Sequence, residues 1–198
     1  MGNMSHSKDR IAIASDHGGF DIKNIISKYL DKEGYEIDDL GTYSLDSVDY
    51  PDFAHTVAER IVQGLDKRAI LICGTGIGMS ITANRYPGVR AALGNDIYSA
   101  RMSRLHNNSN VLVLGGRIVG SELAMEIVST WLNTKFEGGR HNRRIEKIDQ
   151  DRLETVVYKV VSSFFDQMNN VDLSEVERLI EETFEVILKK RMKKEKEK

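Results

Sequence analysis

Residues 68–80 read Arg-Ala-Ile-Leu-Ile-Cys-Gly-Thr-Gly-Ile-Gly-Met-Ser, and the fold turns on how that stretch is read. Ala69 to Cys73 is a short, unbroken apolar run, which fits a strand covered on both faces in a parallel sheet. It runs directly into Gly74-Thr75-Gly76-Ile77-Gly78. A glycine-rich turn between a strand and a helix gathers backbone N–H groups around one small space, and the helix start adds partial positive charge there, so the turn is expected to hold an anion. Cys73 borders the turn, in a setting that favours a thiolate. Thr75 adds a hydroxyl that can both give and take a proton. A base beside donors that wait for a developing oxyanion suits removal of a proton from carbon, and losing one such donor typically costs about 2.7–4 kcal/mol of barrier. The competing reading of the same residues is an inert core cysteine ahead of an ordinary tight turn.

Working outward, Arg10 to Ser15 reads as a first buried strand that ends at Asp16-His17-Gly18-Gly19. Phe20, Ile22, Ile25, Ile26, Tyr29 and Leu30 then recur at helical spacing, with Gly34 as the stop. Tyr35 to Leu40 is the second strand. Asp49-Tyr50-Pro51-Asp52 follows as a loop, with Asp52 expected to cap a helix whose inner face is Ala54, Val57, Ala58, Ile61 and Val62. The helix after Cys73 is expected to close at Pro87-Gly88. Val89 to Leu93 is the fourth strand, and a helical stretch from Asp96 to about Arg104 ends at Leu105-His106-Asn107-Asn108. Val111 to Leu114 is the fifth strand, and Ser121 is expected to cap a helix carrying Leu123, Ala124, Ile127, Val128, Trp131 and Leu132. Strands alternating with helices predict a three-layer α/β/α, Rossmann-like domain around a five-stranded, mostly parallel sheet. Right-handed crossovers then place every strand's carboxyl end on one edge. If the first and third strands are neighbours, Asp16 and His17 face Cys73 to Ser80 across one cleft.

Composition narrows the function. With 198 residues, 29 % charged and a formal net charge of −2, the chain points to one domain plus an appendage and not to nucleic acid as its main partner. A single cysteine excludes an internal disulfide and fits the cytoplasm. No apolar run reaches the length of a membrane span. Gly2 opens a possible myristoylation site, but His6 stands where that motif needs Ser or Thr. The expected layout is a disordered leader over 1–9, an α/β domain over 10–149 and a helical extension over 150–198. In the extension, Leu153 to Met168 and Val176 to Ile187 carry apolar stripes, with Ser174 and Glu177 as a capping box between them. That predicts an αα-hairpin packed on its own domain, its dimer mate or a separate partner, followed by a basic tail.

Glu137-Gly138-Gly139-Arg140-His141-Asn142-Arg143-Arg144 concentrates guanidinium groups that can fork onto phosphate, or that can simply form a solvated face. The glycines after Cys73 match neither G-x-G-x-x-G nor a P-loop. The histidines are dispersed in sequence, so no metal site is expected, and His55 reads as a surface or packing residue. Two classes of function fit. One is a cofactor-free isomerase of a small phosphorylated sugar, with Cys73 as base, His106 or His17 as its acid–base partner, and Arg140 and Arg144 on the phosphate. The other is a phosphate- or nucleotide-binding module with no chemistry.

From Ile11 to about Asp149 the chain resembles the type B ribose-5-phosphate isomerases and their galactose- and allose-6-phosphate isomerase relatives. Ser15-Asp16-His17-Gly18-Gly19-Phe20, Asp49-Tyr50-Pro51-Asp52, Ile72 to Ser80, Ser103-Arg104-Leu105-His106-Asn107, and Glu137 to His141 with Arg144 carry the likeness. It implies interconversion of ribose 5-phosphate and ribulose 5-phosphate through an enediolate, with galactose or allose 6-phosphate as the alternative substrates. Cys73 would then be the base, and Thr75 would pass a proton between oxygens. Asp16 and His106 would open the ring. The N–H groups of Gly74, Gly76, Gly78, Met79 and Ser80 would hold the enediolate, and Asn107 would bind the sugar. His17, Arg140 and Arg144, with Arg117 as a weaker candidate, would hold the phosphate. The resemblance also implies a homodimer or homotetramer whose sites are shared between subunits.

Overall fold

The computed structural model describes residues 8–149 together with Arg178, Glu181 and Glu182. The predicted hairpin and basic tail therefore lie outside the described residues, as do positions 1–7 of the leader. The chain divides after Glu146 into two units, and the first of them holds the sheet. Its strands are β1 (Lys8–Ser15), β2 (Tyr35–Asp39), β3 (Ala69–Cys73), β4 (Ala91–Leu93) and β5 (Val111–Gly115). Its helices are α1 (Phe20–Lys32), α2 (Tyr50–Val62), α3 (Ile77–Ala83), α4 (Ile97–Asn107) and α5 (Ser121–Asn133), and one more begins at residue 140.

The sheet runs β2-β1-β3-β5-β4, and every pair is parallel. β1 and β3 are neighbours, as the cleft required. The register sets Ser15 opposite Ile72 and Cys73 opposite Gly115, so the carboxyl ends of β1, β3 and β5 finish nearly level. Alternation along the strands builds two different layers. Ile11, Ile13, Ile70, Ile72, Leu112 and Leu114 pack with α1 and α5. Ala12, Ala14, Ala69, Leu71, Cys73, Val111 and Val113 pack with Ala54, Val57 and Ala58 of α2 and Met79 and Ala83 of α3. Each fully buried Ile, Leu or Val contributes about 1.5–3 kcal/mol, so these central strands hold the domain together. Trp131 is also enclosed, and its Nε1–H donates to Ser109 Oγ at 2.7 Å.

Several local readings need correction. β1 starts at Lys8, so the leader gives up its last two residues to the sheet. Asp49, not Asp52, takes the position before α2, because Pro51 is preorganised for the first turn and starts the helix early. Asp52 then lies inside that turn, its N–H donating to the Asp49 carbonyl at 3.3 Å. Gly120 in extended backbone precedes α5, which makes Ser121 its first residue rather than its cap. α3 stops at Ala83, short of Pro87-Gly88, and α4 runs on through His106 and Asn107. Val62 is exposed, and Ile61 is only partly covered. Lys23, which the sequence reading did not single out, is fully buried, because its Nζ meets both carboxylate oxygens of Asp39 at 2.5 and 2.6 Å. Among the described residues no helix is long and apolar enough to cross a membrane.

Candidate active site

Three loops meet at the carboxyl edge, and they do so through backbone. Asp16 N donates to the Ile72 carbonyl at 3.1 Å, Gly116 N to the Cys73 carbonyl at 2.7 Å and Arg117 N to the Gly74 carbonyl at 3.0 Å. Glycine is required for this closeness. A Cβ on Gly19 would lie 2.4 Å from the Ile72 oxygen, and one on Gly116 would lie 2.6 Å from the Gly18 oxygen. Gly76 has φ +79°, the left-handed region that glycine tolerates, and it turns the chain from β3 into α3. Asn95 joins this edge by accepting the Gly115 N–H at 3.0 Å, a tie that no motif announced.

Within the β3 loop, Gly76 N–H donates to Cys73 Sγ at 3.2 Å, which aims the sulfur at the turn. The thiol is only 4 % exposed and shares the layer beneath α2 and α3, so it is close to enclosed. Ile77 N–H faces Thr75 Oγ1 at 3.4 Å, and Ser80 N–H closes the first helical bond onto Gly76. That leaves the N–H groups of Gly78 and Met79 without a protein acceptor among the described residues. Ser80 is engaged at both ends, since its hydroxyl donates to the Ala91 carbonyl at 3.2 Å. The Met79 side chain is core. The Tyr50 ring covers Gly78, where a Cβ would lie 2.5 Å from two ring carbons.

Across the β1–β3 junction, Asp16 is buried and one of its oxygens accepts the Gly19 N–H at 3.0 Å, leaving the other for chemistry. His17 Nδ1 accepts the Val48 N–H at 3.3 Å. With Nδ1 engaged as an acceptor, Nε2 is the ring nitrogen left to donate to an anion. Arg117 lies over Gly74, its side-chain atoms 3.7–3.8 Å from where a Cβ would stand.

The remaining predicted residues are elsewhere. α4 starts beside Asn95 at the carboxyl edge and returns to the amino edge, where β5 begins. At 1.5 Å per residue its eleven residues carry His106 and Asn107 about 16 Å away from that start. Glu137 N–H docks on the Leu105 carbonyl at 3.0 Å, and Gly138 and Gly139, both with positive φ, turn the chain into the helix at residue 140. This brings His141 face to face with His106, their rings parallel within 5° and 4.5 Å apart. Glu137 Oε2 lies 3.9 Å from Nε2 of each. Arg140 Nε–H donates to His141 Nε2 at 3.4 Å. Burial, followed by the charges of His106 and Arg140, pushes the His141 imidazole below its ordinary range, while Glu137 opposes.

The expectation that the histidines stay dispersed therefore fails. His106, Glu137 and His141 offer three ligand atoms within 4.8 Å of one another. The arginines beside them disfavour a dication, and the Nε2 lone pair of His141 already accepts from Arg140. Sequence reading assigned His141 no role. Its i,i+4 spacing from Glu137 was the available signal, whereas its pairing with His106 depends on a long-range return of the chain. His55 is exposed, its Nδ1 2.8 Å from the Tyr86 hydroxyl.

The candidate residues thus fall into two groups. Asp16, His17, Cys73, Thr75 and the loop amides gather at the carboxyl edge, and His106, Asn107, Arg140 and Arg144 belong to the amino edge. Exposed apolar side chains, Ile77 and Ile81 of α3, Tyr98 of α4 and Ile118 after β5, flank the first group.

Residues 11–148 match the family described as Ribose/Galactose Isomerase. Ribose-5-phosphate isomerase B of Escherichia coli is 48 % identical over 139 residues, which is 70 % of this chain and 93 % of the relative. D-erythrulose-4-phosphate isomerase of Pectobacterium atrosepticum is 46 % identical over 142 residues, 70 % of this chain and 91 % of the relative. The crystal structure of ribose-5-phosphate isomerase B from Mycoplasma genitalium with bound ribulose-5-phosphate superposes with a TM-score of 0.72 at 43 % identity, covering 75 % of this chain and 99 % of that one.

Proposed function

The chain belongs to the ribose/galactose isomerase family, and from that premise we propose that it interconverts D-ribose 5-phosphate and D-ribulose 5-phosphate in the cytoplasm, through an enediolate, in an assembly of two or more copies. The observation that carries this reading is the β3 loop, where a sulfur aimed by one amide stands in the same turn as the Gly78 and Met79 N–H groups, which have no protein acceptor among the described residues.

In the ring-closed sugar, the free Asp16 oxygen and a second copy's His106 move the protons that open the furanose. The Cys73 thiolate takes the proton from C2, and the charge that moves onto O1 is met by the Gly78 and Met79 amides. Thr75 passes a proton from the C2 hydroxyl to O1. The Cys73 thiol then returns its proton to C1, giving the ketose and restoring the thiolate. Stabilising the oxyanion in the same step is what allows a thiolate to remove so weakly acidic a proton. His17 Nε2–H holds the phosphate from one chain, while Arg140 and Arg144 close on it from the other.

The separation between the edges supports the shared site. Within one chain α4 carries His106 about 16 Å from its start beside the edge that holds Cys73, and a second copy seated on the exposed Ile77, Ile81, Tyr98 and Ile118 would bring a His106 back to that edge. Relatives of nearly equal identity are named for five- and four-carbon sugars, so the substrate needs a direct test. Values of kcat/KM are to be compared across ribose 5-phosphate, erythrulose 4-phosphate, allose 6-phosphate and galactose 6-phosphate. Ribose 5-phosphate is expected to lead. Faster turnover of another sugar reassigns the substrate, and binding without turnover of any of them favours the non-catalytic module.

A further inference from the structure

Lys23 is a charged group in the core that the proposed chemistry does not touch. It lies in the first turn of α1, fully buried, with its Nζ on both carboxylate oxygens of Asp39 at the end of β2. Taking an ammonium out of water is costly, and exchanging a buried ion pair for apolar groups of similar size is often neutral or stabilising, so the pair is a poor device for stability alone. Its connections lead instead to the carboxyl edge.

On one side the ammonium is rooted in the turn after β1. Lys23 N–H donates to the Gly19 carbonyl at 2.9 Å, and Gly19 N–H donates to an Asp16 carboxylate oxygen at 3.0 Å. On the other side it reaches the segment between β2 and α2. Asp39 Oδ1 also accepts the Gly41 N–H at 3.0 Å, and the Tyr43 hydroxyl donates to the Asp39 main-chain carbonyl at 2.8 Å. The Tyr43 ring lies over the ammonium, its centroid 5.1 Å from Nζ. Beyond Tyr43 the segment bonds to itself, Ser44 Oγ donating to Asp46 Oδ2 at 2.9 Å, until Val48 N–H donates to His17 Nδ1 at 3.3 Å. His17 therefore hangs between two pieces of chain that Lys23 ties together: its backbone belongs to the turn that α1 extends, and its ring is held by the segment that Asp39 and Tyr43 pin. At 3.3 Å the bond to the ring is already long, so a small displacement of that segment breaks it.

We propose that Lys23 is a positioning residue for the phosphate end of the site: through Asp39 and Tyr43 its ammonium holds residues 41–48 where Val48 keeps His17 Nδ1 occupied, leaving Nε2–H for the anion. The role rests on the isomerase reading for the assignment of His17 to phosphate, whereas the ring geometry does not. The test compares the full chain, free of substrate, with Lys23→Met by the NMR shifts of the His17 ring nitrogens at about pH 8, where an ordinary imidazole is neutral. Methionine keeps the length of the stem, and Asp39, whose side chain is 32 % exposed, is left to water. The parent is expected to show a protonated Nε2 and a bare Nδ1, and the variant to show both nitrogens drawn toward the average of two tautomers. In steady state, KM for ribose 5-phosphate is expected to rise about threefold to tenfold, with kcat changed by less than about twofold. In a His17→Ala background, Lys23→Met is expected to raise KM no further, because groups acting through one another are not additive. Lys23→Met/Asp39→Asn, which leaves no charge unpaired, replaces the single variant if that one does not fold. Three results would each overturn the proposal: unchanged His17 shifts in a folded variant, an equal rise in KM without the His17 ring, or failure of both variants to fold. If the parent turns over none of the sugars, the isomerase reading falls, while the ring shifts still decide the role of Lys23 and calorimetric binding of inorganic phosphate stands in for KM.

Discussion

The two edges of one sheet are built from different materials. At the carboxyl edge the groups are main-chain amides, a buried thiol and a buried carboxylate, set within tenths of an ångström by glycines that bring backbone against backbone. At the amino edge they are long side chains, imidazoles and guanidiniums, mostly exposed, on a segment bent by Gly138 and Gly139 into open space. The contrast matches two tasks. Charge developing on a reacting oxygen needs fixed donors, because donors that must reorganise lose their advantage in the transition state. Gripping a phosphate and relaying a proton tolerate longer reach. On the proposed roles, neither edge of a single chain holds every group the reaction uses.

The sharpest way to break this comparison is to disable one edge at a time. Cys73→Ala and His106→Ala are each expected to lower kcat by about 10³-fold or more, with Tm shifted by no more than about 4 °C. Mixed and allowed to exchange subunits, the two inactive variants should recover about a quarter of parental activity, because half of a random mixture pairs the variants and one of two sites in each such pair is intact. Steady-state assay of the mixture checks this, and no recovery would mean that each site draws on one chain. Next in size, Arg144→Ala should raise KM for the sugar phosphate about tenfold while kcat changes less, as expected for a group that grips phosphate.

A smaller effect separates the edges by stability. Gly19→Ala, whose methyl would meet the Ile72 carbonyl, should cost about 1–3 kcal/mol in urea unfolding. Gly139→Ala meets nothing and carries only its φ of +56°, so about 1 kcal/mol is expected. The smallest effect is in pH. The His141 value is depressed in the folded chain, so below about pH 6.5 the unfolded chain takes a proton that the folded chain refuses. The stability from that difference is complete above this pH and is lost as pH falls toward the folded value. Tm measured from about pH 8 to pH 5 should decline, and His141→Gln should reduce the decline.

Much of the architecture was legible in the sequence because it repeats a period. The buried run Ala69 to Cys73, the alternation of apolar runs with helical stripes, and the stop at Gly34 all follow from local rules. Helix starts were less legible, since Pro51 and Gly120 competed with the Asp52 and Ser121 side chains for the same role. Lys23 was invisible as a core residue because its partner Asp39 is sixteen positions away on another element. Motifs named the candidate residues, and the resemblance implied sites shared between subunits, whereas which candidates stand at which edge was not readable. That division needs the direction of α4, which returns His106 to the far edge, and the crossing of Glu137 onto Leu105 that stacks His141 on His106.

The single tryptophan of the chain stands where it can report on the integrity of the fold. Trp131 is sealed from water, hydrogen-bonded to Ser109 and capped by the Arg104 guanidinium 5.6 Å from its ring. Its fluorescence should therefore be blue-shifted in the folded chain and move to the red on unfolding.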